Sequence, residues 1–237
     1  MAATEIVYGL RPVAEARRGR RRVHRVWTAA DTRQTELTRL AGSAEHQGVV
    51  AEVDPYPYAD PTALLQRPDA LVVVLDQVQD PHNLGAVCRS AEAAGASGLV
   101  IPSRRAAAVT AAVCKASAGA VEHLAVARVT NLSDWLTGAK EAGAWIYGAE
   151  AGAEAPYSEV DLTGRVVIAL GSEGRGLRRR VGETCDLLVS IPVRGRVASL
   201  NVSAAAAVLL FEALRQRGRS SPGTPTSPRG RKSRSAT

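Results

Sequence analysis

The sequence lacks the features that mark a membrane or secreted protein. Its 237 residues contain no apolar run of about eighteen residues, which is the length needed to span a bilayer. The chain also begins without the basic-then-apolar pattern of a secretory signal. These absences favour a cytoplasmic protein with no membrane partner.

Cysteine is scarce, and its spacing argues against two kinds of chemistry. The three residues, Cys88, Cys114 and Cys185, are far apart and form no C-x-x-C pair. Neither a zinc site nor a disulfide framework is expected from this spacing. We expect reduced core thiols and predict no metal site.

Acidic residues are outnumbered, 23 against 30 Lys and Arg, and the formal net charge is +7. Five of these charges lie in residues 218–237, so the other 217 residues carry only +2. Residues 219–237 are rich in Ser, Pro and Gly without apolar periodicity, which predicts a disordered basic tail. Such a tail suits non-specific attraction to phosphate, or it is only a solubilising end.

Most of the chain alternates apolar runs with helical patterns. In residues 71–218 this alternation is typical of an α/β domain with a parallel sheet. The predicted strands are 71–75, 98–101, 124–127, 144–148, 166–170 and 187–191. Residues 54–70 precede this domain and contain four prolines, which predicts a stiff linker with at most one helical turn.

Residues 1–53 form a smaller predicted α/β domain that is rich in arginine. A short helix is predicted at 8–16, and a strand at 23–27. Between and within them lies a basic cluster: Arg17, Arg18, Arg20, Arg21, Arg22 and Arg25. Clustered arginines fit contacts with RNA phosphates, although arginine-rich turns are often simply solvated.

Two of the predicted strands lead into glycine-bearing loops that should meet at the carboxyl edge of the sheet. The first loop, 171–176, has the order G-x-x-G-x-G, which is not the dinucleotide fingerprint. Its glycines permit positive φ and close backbone approach. Glu173 would repel a phosphate and favours a cationic ligand such as S-adenosylmethionine. The alternative is an ordinary glycine turn with a solvated glutamate.

Three segments together resemble a known family. Residues 80–91, 171–176 and 199–203 resemble the three motifs of the SpoU-type (TrmH-like) branch of the SPOUT RNA methyltransferases. In the residues of these motifs, the resemblance is strongest to the bacterial 23S rRNA guanosine 2′-O-methyltransferases. It implies a deep trefoil knot around the C-terminal helix. In that group, a small N-terminal RNA-binding domain contains two short sequence motifs similar to residues 8–13 and 46–51. The segment between these two motifs is about twenty residues shorter in this chain.

The resemblance also implies site residues. It places Arg89 at the reacting ribose 2′-hydroxyl and the RNA phosphate, where we expect it to orient and stabilise charge, since guanidinium is a poor base. The plain alternative is an ion pair with Glu92. The other implied catalytic residues are Asn83, Glu173, Ser199 and Asn201, of which Asn83, Ser199 and Asn201 could instead be helix caps. Implied cofactor contacts, mainly through backbone groups, are Gly148, Ala149, Gly171, Ile191, Val193 and Leu200.

The predicted function is therefore methyl transfer from S-adenosylmethionine to a ribose 2′-hydroxyl of RNA, with a guanosine of 23S rRNA favoured. DNA is not expected as a partner, and the family implies a homodimer. The alternative from another class is a non-catalytic RNA-binding or ribosome-assembly factor with the same fold. A dinucleotide-dependent oxidoreductase is disfavoured by the glycine order and by Glu173.

Overall fold

Two sheets organise the computed structural model, which describes residues 3–197 and 199–220. The first is antiparallel, in the order β1-β3-β2, and comprises β1 (Glu5–Tyr8), β2 (Val23–Thr28) and β3 (Val49–Val53). Helices α1 (Leu10–Ala16) and α2 (Gln34–Ala41) connect its strands. The helix predicted at 8–16 therefore begins later, because Tyr8 ends β1 and Gly9 turns the chain with a φ of 101°.

The second sheet has seven parallel strands, in the order β6-β5-β4-β9-β7-β10-β8. The strands are β4 (Leu71–Asp76), β5 (Gly98–Pro102), β6 (Val126–Val129), β7 (Trp145–Ala149), β8 (Ala155–Pro156), β9 (Val166–Gly171) and β10 (Leu187–Ser190). All six predicted strands of this domain are present, and only the two-residue β8 is additional. The prediction of a parallel α/β sheet is confirmed.

Helices cover both faces of the parallel sheet, as its continuous apolar strands require. In β4, Leu71, Val73 and Leu75 face one core, and Val72 and Val74 face the other. The first core receives α3 (Pro81–Ala93), α4 (Ala111–Ala116) and α7 (Val202–Ser220). The second core receives α5 (Leu132–Glu141) and α6 (Arg179–Thr184). Short 3₁₀ turns lie at Ala44–His46, Ala63–Leu65, Ala120–Glu122 and Tyr157–Glu159.

The N-terminal sheet is packed against the parallel-sheet domain. Val7 and Val13 belong to the same buried cluster as α3 and α4. In the linker, the buried Tyr56 donates its hydroxyl to the carbonyl of Leu124 at 2.6 Å. Leu64 and Leu65 of the single linker turn are also buried. The linker therefore lies along the large domain as an ordered segment.

The C-terminal helix extends past residue 218, where the predicted α/β domain ends. Helix α7 continues through Gly218 to Ser220. Glycine costs a helix stability but does not by itself stop it. The rest of the predicted tail, 221–237, lies outside the described residues. The trefoil knot stays a prediction. None of the helices described is long and apolar enough to cross a membrane.

Candidate functional site

A first cavity of about 320 Å³ opens at the carboxyl edge of the parallel sheet, between the loops that follow β7, β9 and β10. Three elements of its wall are strand ends, because parallel strands bring their carboxyl ends to one edge. Seven of the predicted site residues line it: Ala149, Gly171, Glu173, Ile191, Val193, Ser199 and Leu200. The structure thus brings together most of the predicted cofactor contacts and two of the predicted catalytic residues.

The loop 171–176 folds back on itself at the mouth of this cavity. The amide of Gly176 donates to the carbonyl of Ser172 at 3.0 Å, and Gly174 and Gly176 have φ values of 74° and 64°. A Cβ atom on Gly171 would lie 1.9 Å from the carbonyl carbon of Gly176. Glycine is therefore required at 171 by close approach and favoured at 174 and 176 by positive φ.

Gly148 differs from the other predicted cofactor contacts. It is buried in β7 and does not line the cavity. A Cβ atom there would meet Leu188, Cys185 and Leu177 at 2.7 to 2.9 Å. Its evident role is to let these side chains pack against the strand.

Asn83, Glu173 and Asn201 form a hydrogen-bonded cluster that joins the three motif segments. Asn83 Nδ2 donates to Glu173 Oε1 at 3.0 Å, and Asn201 Nδ2 donates to Asn83 Oδ1 at 2.9 Å and to Glu173 Oε1. The Oδ1 of Asn201 accepts from the amide of Ser203 at 2.9 Å, which caps α7. Asn201 therefore caps α7 and also takes part in the hydrogen-bonded cluster, whereas its catalytic role stays a prediction.

The other two proposed caps are not caps. Asp80 caps α3 by accepting from the amide of His82 at 2.8 Å, and Asn83 is the third residue of the helix. Ser199 lines the first cavity, and its hydroxyl makes no hydrogen bond within the described part of the chain. The side chains of Asn83 and Ser199 are thus available to the site.

A second cavity, of about 330 Å³ and more polar, adjoins the first on the side of β4 and α3. The two share Ser172, Glu173, Arg175 and Val202. The remaining lining comes from the loop after β4 and the start of α3: Gln77, Val78, Gln79, Asp80 and Asn83. Of the hydrogen-bonded cluster, Glu173 therefore lines both the more apolar and the more polar cavity, and Asn83 lines only the second. Asn201 lines neither and is joined to them through its hydrogen bonds to these two side chains.

An ion pair between a buried aspartate and a half-exposed arginine joins two segments beside these cavities. Asp76, fully buried at the end of β4, accepts from the backbone amide of Arg178 at 2.8 Å and from its Nε at 2.7 Å. Because Arg178 directly precedes α6, the pair ties the end of loop 171–176 to the end of β4. The local sequence carries no signal for it, since the partners are separated by 102 positions.

Glu150 adds a second carboxylate to the first cavity. It is half-buried after β7, and its side chain makes no hydrogen bond among the described residues. A Cβ atom on Gly176 would lie 3.0 Å from Glu150 Oε2, so the carboxylate lies against the 171–176 loop. Glu150 and Glu173 outnumber Arg175, the one cation among the described lining residues, so the lining has a net negative charge that suits a cationic ligand.

Arg89 lies apart from both cavities. Its side chain is exposed on α3 and contributes to the lining of neither. The alternative role as a partner of Glu92 is not observed, because the described residues contain no such ion pair. The guanidinium is free to meet a group from outside this chain.

The N-terminal arginine cluster is only partly available to a ligand. Arg21 is 5% exposed and pairs with the buried Glu122 of the large domain. Arg20 donates to the carbonyl of Leu124, and Arg18 pairs with Glu15. The prediction of six phosphate-binding arginines is therefore wrong for Arg21, which holds the two domains together. Arg17, Arg22 and Arg25 are exposed, and Arg25 stacks on Trp27 at 4.9 Å.

The titratable groups offer no nucleophilic thiol. Burial raises the pKa of Cys88 and Cys114 to about 12 and that of Cys185 to about 11. All three thiols are therefore neutral near pH 7. Within residues 3–197 and 199–220, no group of three or more His, Cys, Asp or Glu side chains is placed to hold a metal ion.

Comparisons with known proteins point to one family. The family model of the SpoU rRNA Methylase family matches residues 70–211. YacO of Bacillus subtilis, a candidate TrmH family tRNA/rRNA methyltransferase, is 38% identical over 90% of this chain and 96% of its own length. The uncharacterized tRNA/rRNA methyltransferase slr0955 of Synechocystis is 39% identical over 91% of this chain, which spans only 64% of that relative.

Solved structures give the same result. The SpoU methyltransferase AviRb of Streptomyces viridochromogenes, in complex with its cofactor AdoMet, superposes with a TM-score of 0.78 and 28% identity, over 90% of this chain and 89% of AviRb. An RNA 2′-O ribose methyltransferase superposes with a TM-score of 0.76 and 29% identity, over 90% and 89% of the two chains.

Proposed function

Because the chain belongs to the SpoU rRNA methylase family, we propose that it transfers a methyl group from S-adenosylmethionine to a ribose 2′-hydroxyl of RNA. The observation that carries this proposal is the Asn83–Glu173–Asn201 cluster beside the first cavity. It joins three segments distant in sequence at one point, and it places an exposed carboxylate that accepts from two amides in the lining of both cavities.

The first cavity is proposed to bind the methyl donor, which supplies an electrophilic methyl group on a sulfonium. Its apolar wall, which includes Ile191, Val193 and Leu200, suits the adenine ring. Glu150 and Glu173 favour the positive charges of the donor. The tight 171–176 loop brings backbone groups close enough to form hydrogen bonds with the ligand. A further support is that the similar AviRb structure contains AdoMet.

Arg89 is proposed to act on the acceptor. A ribose hydroxyl is a poor nucleophile and needs orientation and stabilisation of developing negative charge, which a permanent cation provides. Glu173, held by two amides, and Ser199 are placed at the cavity mouth to order the ribose or the arginine. The proton leaves to solvent or to a nearby acceptor, since Arg89 itself stays protonated.

A homodimer is proposed to complete this site. Arg89 is exposed and outside both cavities of its own chain, so a partner copy is the natural place for its contact. Exposed apolar side chains, Leu200 in the lining of the first cavity and Phe211 and Leu214 farther along α7, provide a surface for the second copy. Sedimentation of the purified protein tests the assembly.

The proposed substrate is ribosomal RNA, with a guanosine of 23S rRNA as the favoured target, in the cytoplasm. The similarity of relatives described as tRNA/rRNA methyltransferases supports an RNA substrate and leaves tRNA as the competing target. Mapping of ribose methylation in rRNA and tRNA from cells with and without the gene identifies the nucleotide. One position that loses methylation without the gene and regains it with purified protein is the expected result.

Calorimetry tests the donor directly. We expect binding of S-adenosylmethionine and none of NAD. A folded protein that binds RNA but neither ligand would contradict the proposal and would favour a passive RNA-binding or ribosome-assembly factor.

A further inference from the structure

Gln77 has a backbone conformation that L-residues rarely adopt. Its φ is 60°, at the point where the chain leaves β4. Four non-glycine residues of the described chain have positive φ, and of these only Gln77 lines either cavity. Such conformations cluster at functional sites, where the surrounding structure must hold them in place.

The neighbours of Gln77 hold it from both sides. Before it, Asp76 is buried and bound twice by Arg178. After it, the carbonyl of Val78 accepts from the amide of Ala107 at 2.9 Å, and Asp80 caps α3. These contacts therefore hold the backbone of residue 77 in its left-handed conformation. In this conformation the residue forms part of the wall of the second cavity.

The side chain of Gln77 has polar groups left for a ligand. It is half-buried in the wall of the second cavity, and its amide makes no hydrogen bond within the described part of the chain. Gln79, also in the wall, is exposed. Across the same cavity lie Asn83 and Glu173 of the hydrogen-bonded cluster, and Arg175.

We propose that Gln77, assisted by Gln79, contacts the nucleobase of the nucleotide that is methylated and sets which base the enzyme accepts. This inference rests on the proposed function, because the second cavity adjoins the donor cavity across Glu173. A carboxamide both donates and accepts hydrogen bonds, as the edges of bases do, whereas a phosphate would require a cation. In the same cavity Arg175 is the residue suited to a phosphate, which leaves the carboxamide of Gln77 for the base.

Two substitutions separate base recognition from backbone strain. Gln77→Gly relieves the positive φ and removes the amide, so it should fold at least as well as the wild type. Gln77→Glu keeps the shape and removes the amide donor. Ala118→Gly is the matched control, because Ala118 has a φ of 53° and lies outside both cavities.

The experiment uses the full-length protein and an RNA fragment around the nucleotide methylated by the wild type, prepared with each of the four bases at that position. Transfer rates give the preference, and calorimetry gives the affinity for S-adenosylmethionine. We expect Gln77→Gly to keep its donor affinity, to gain thermal stability, and to lose about tenfold in preference for the native base. Gln77→Glu should also change the preference, and Ala118→Gly should gain stability alone.

Unchanged base preference in both Gln77 variants, with transfer intact, would overturn the role of Gln77 and leave the methyltransferase proposal standing. A wild type that binds the donor but transfers to no RNA would overturn both. A uniform fall in rate across all four bases would mean that Gln77 contacts the ribose or backbone, and would also overturn base recognition.

Discussion

Asn83 and Glu173, which are 90 positions apart, are joined by a hydrogen bond of 3.0 Å between the amide of one and the carboxylate of the other. Asn201 completes the contact by donating to both. One carboxylate oxygen thus receives two amide donors, and the same asparagine caps α7. The start of the last helix and the geometry of the site are therefore set by one side chain.

Asn201→Ala should separate these two effects when it is compared with Asn131→Ala. Asn131 caps α5 by accepting from the amide of Ser133 at 3.1 Å, and it lies outside both cavities. Each substitution should lower the free energy of unfolding by about 1 kcal/mol, through loss of a cap. Urea unfolding measures this loss. Methyl transfer should fall only in Asn201→Ala, by roughly 10²-fold. Equal activity of the two variants would remove Asn201 from the site.

Arg89→Ala should abolish most turnover and leave donor binding intact. The side chain lies outside the donor cavity, so its loss should reduce kcat by roughly 10²- to 10³-fold without changing the affinity for S-adenosylmethionine. Arg89→Lys keeps the charge but loses the planar fork, and should recover only part of the rate. Arg179→Ala, an exposed arginine on α6, is the control. An Arg89→Ala protein with wild-type turnover would refute the assignment.

The strands and the loops of the site are predictable from sequence for a simple physical reason. Residues 166–170 are apolar without alternation because β9 is buried on both faces, and Gly171 follows because no side chain fits against Gly176. These are local constraints, and each leaves its signature in consecutive residues. The two-residue β8 leaves no such signature.

The missed features depend on partners distant in sequence. Whether Arg21 faces RNA or Glu122 depends on how two domains pack, and a run of arginines looks the same in either case. The positive φ of Gln77 is imposed by Asp76, Arg178 and Ala107, and glutamine is not a residue that indicates a left-handed turn. Burial of Asp76 is likewise invisible until Arg178 is seen beside it.

Gly171→Ala should disable the donor cavity. The added methyl group would overlap the backbone of Gly176, so the 171–176 loop must move. We expect loss of detectable donor binding by calorimetry, together with a lower melting temperature. Gly182→Ala is the matched control, since a Cβ there meets nothing within 4 Å and the residue lies in α6, where alanine is favoured. Wild-type donor affinity in Gly171→Ala would show that the loop is not part of the binding site.

Glu122→Gln should weaken the attachment of the N-terminal domain. Arg21 donates from Nε to Glu122 at 2.9 Å and from Nη1 to Glu5 at 2.9 Å, and its side chain is only 1% exposed. The substitution therefore leaves the buried cation with the partly exposed Glu5 as its one carboxylate partner among the described residues. The free energy of unfolding should fall by roughly 3 kcal/mol. In the exposed pair between Glu36 and Arg39, Glu36→Gln should have little effect. Denaturant unfolding compares the two. Equal losses would mean that the buried pair does not stabilise the domain contact.

Glu150→Gln should lower the affinity of the first cavity for S-adenosylmethionine more than its affinity for S-adenosylhomocysteine, the product whose sulfur carries no charge. The carboxylate lines the cavity with no hydrogen-bond or ion-pair partner in the described part of the chain, and S-adenosylhomocysteine lacks the sulfonium charge. A partly solvated charge pair is worth about 1 kcal/mol, which is roughly fivefold in the dissociation constant. Calorimetry with both ligands at low and high salt measures the difference, which should shrink as salt screens the pair. Glu154→Gln, in the same loop but outside the cavity, should bind both ligands as the wild type does. If Glu150→Gln lost equal affinity for both ligands at all salt concentrations, the carboxylate would act on the shared ribose or ammonium group and not on the sulfonium.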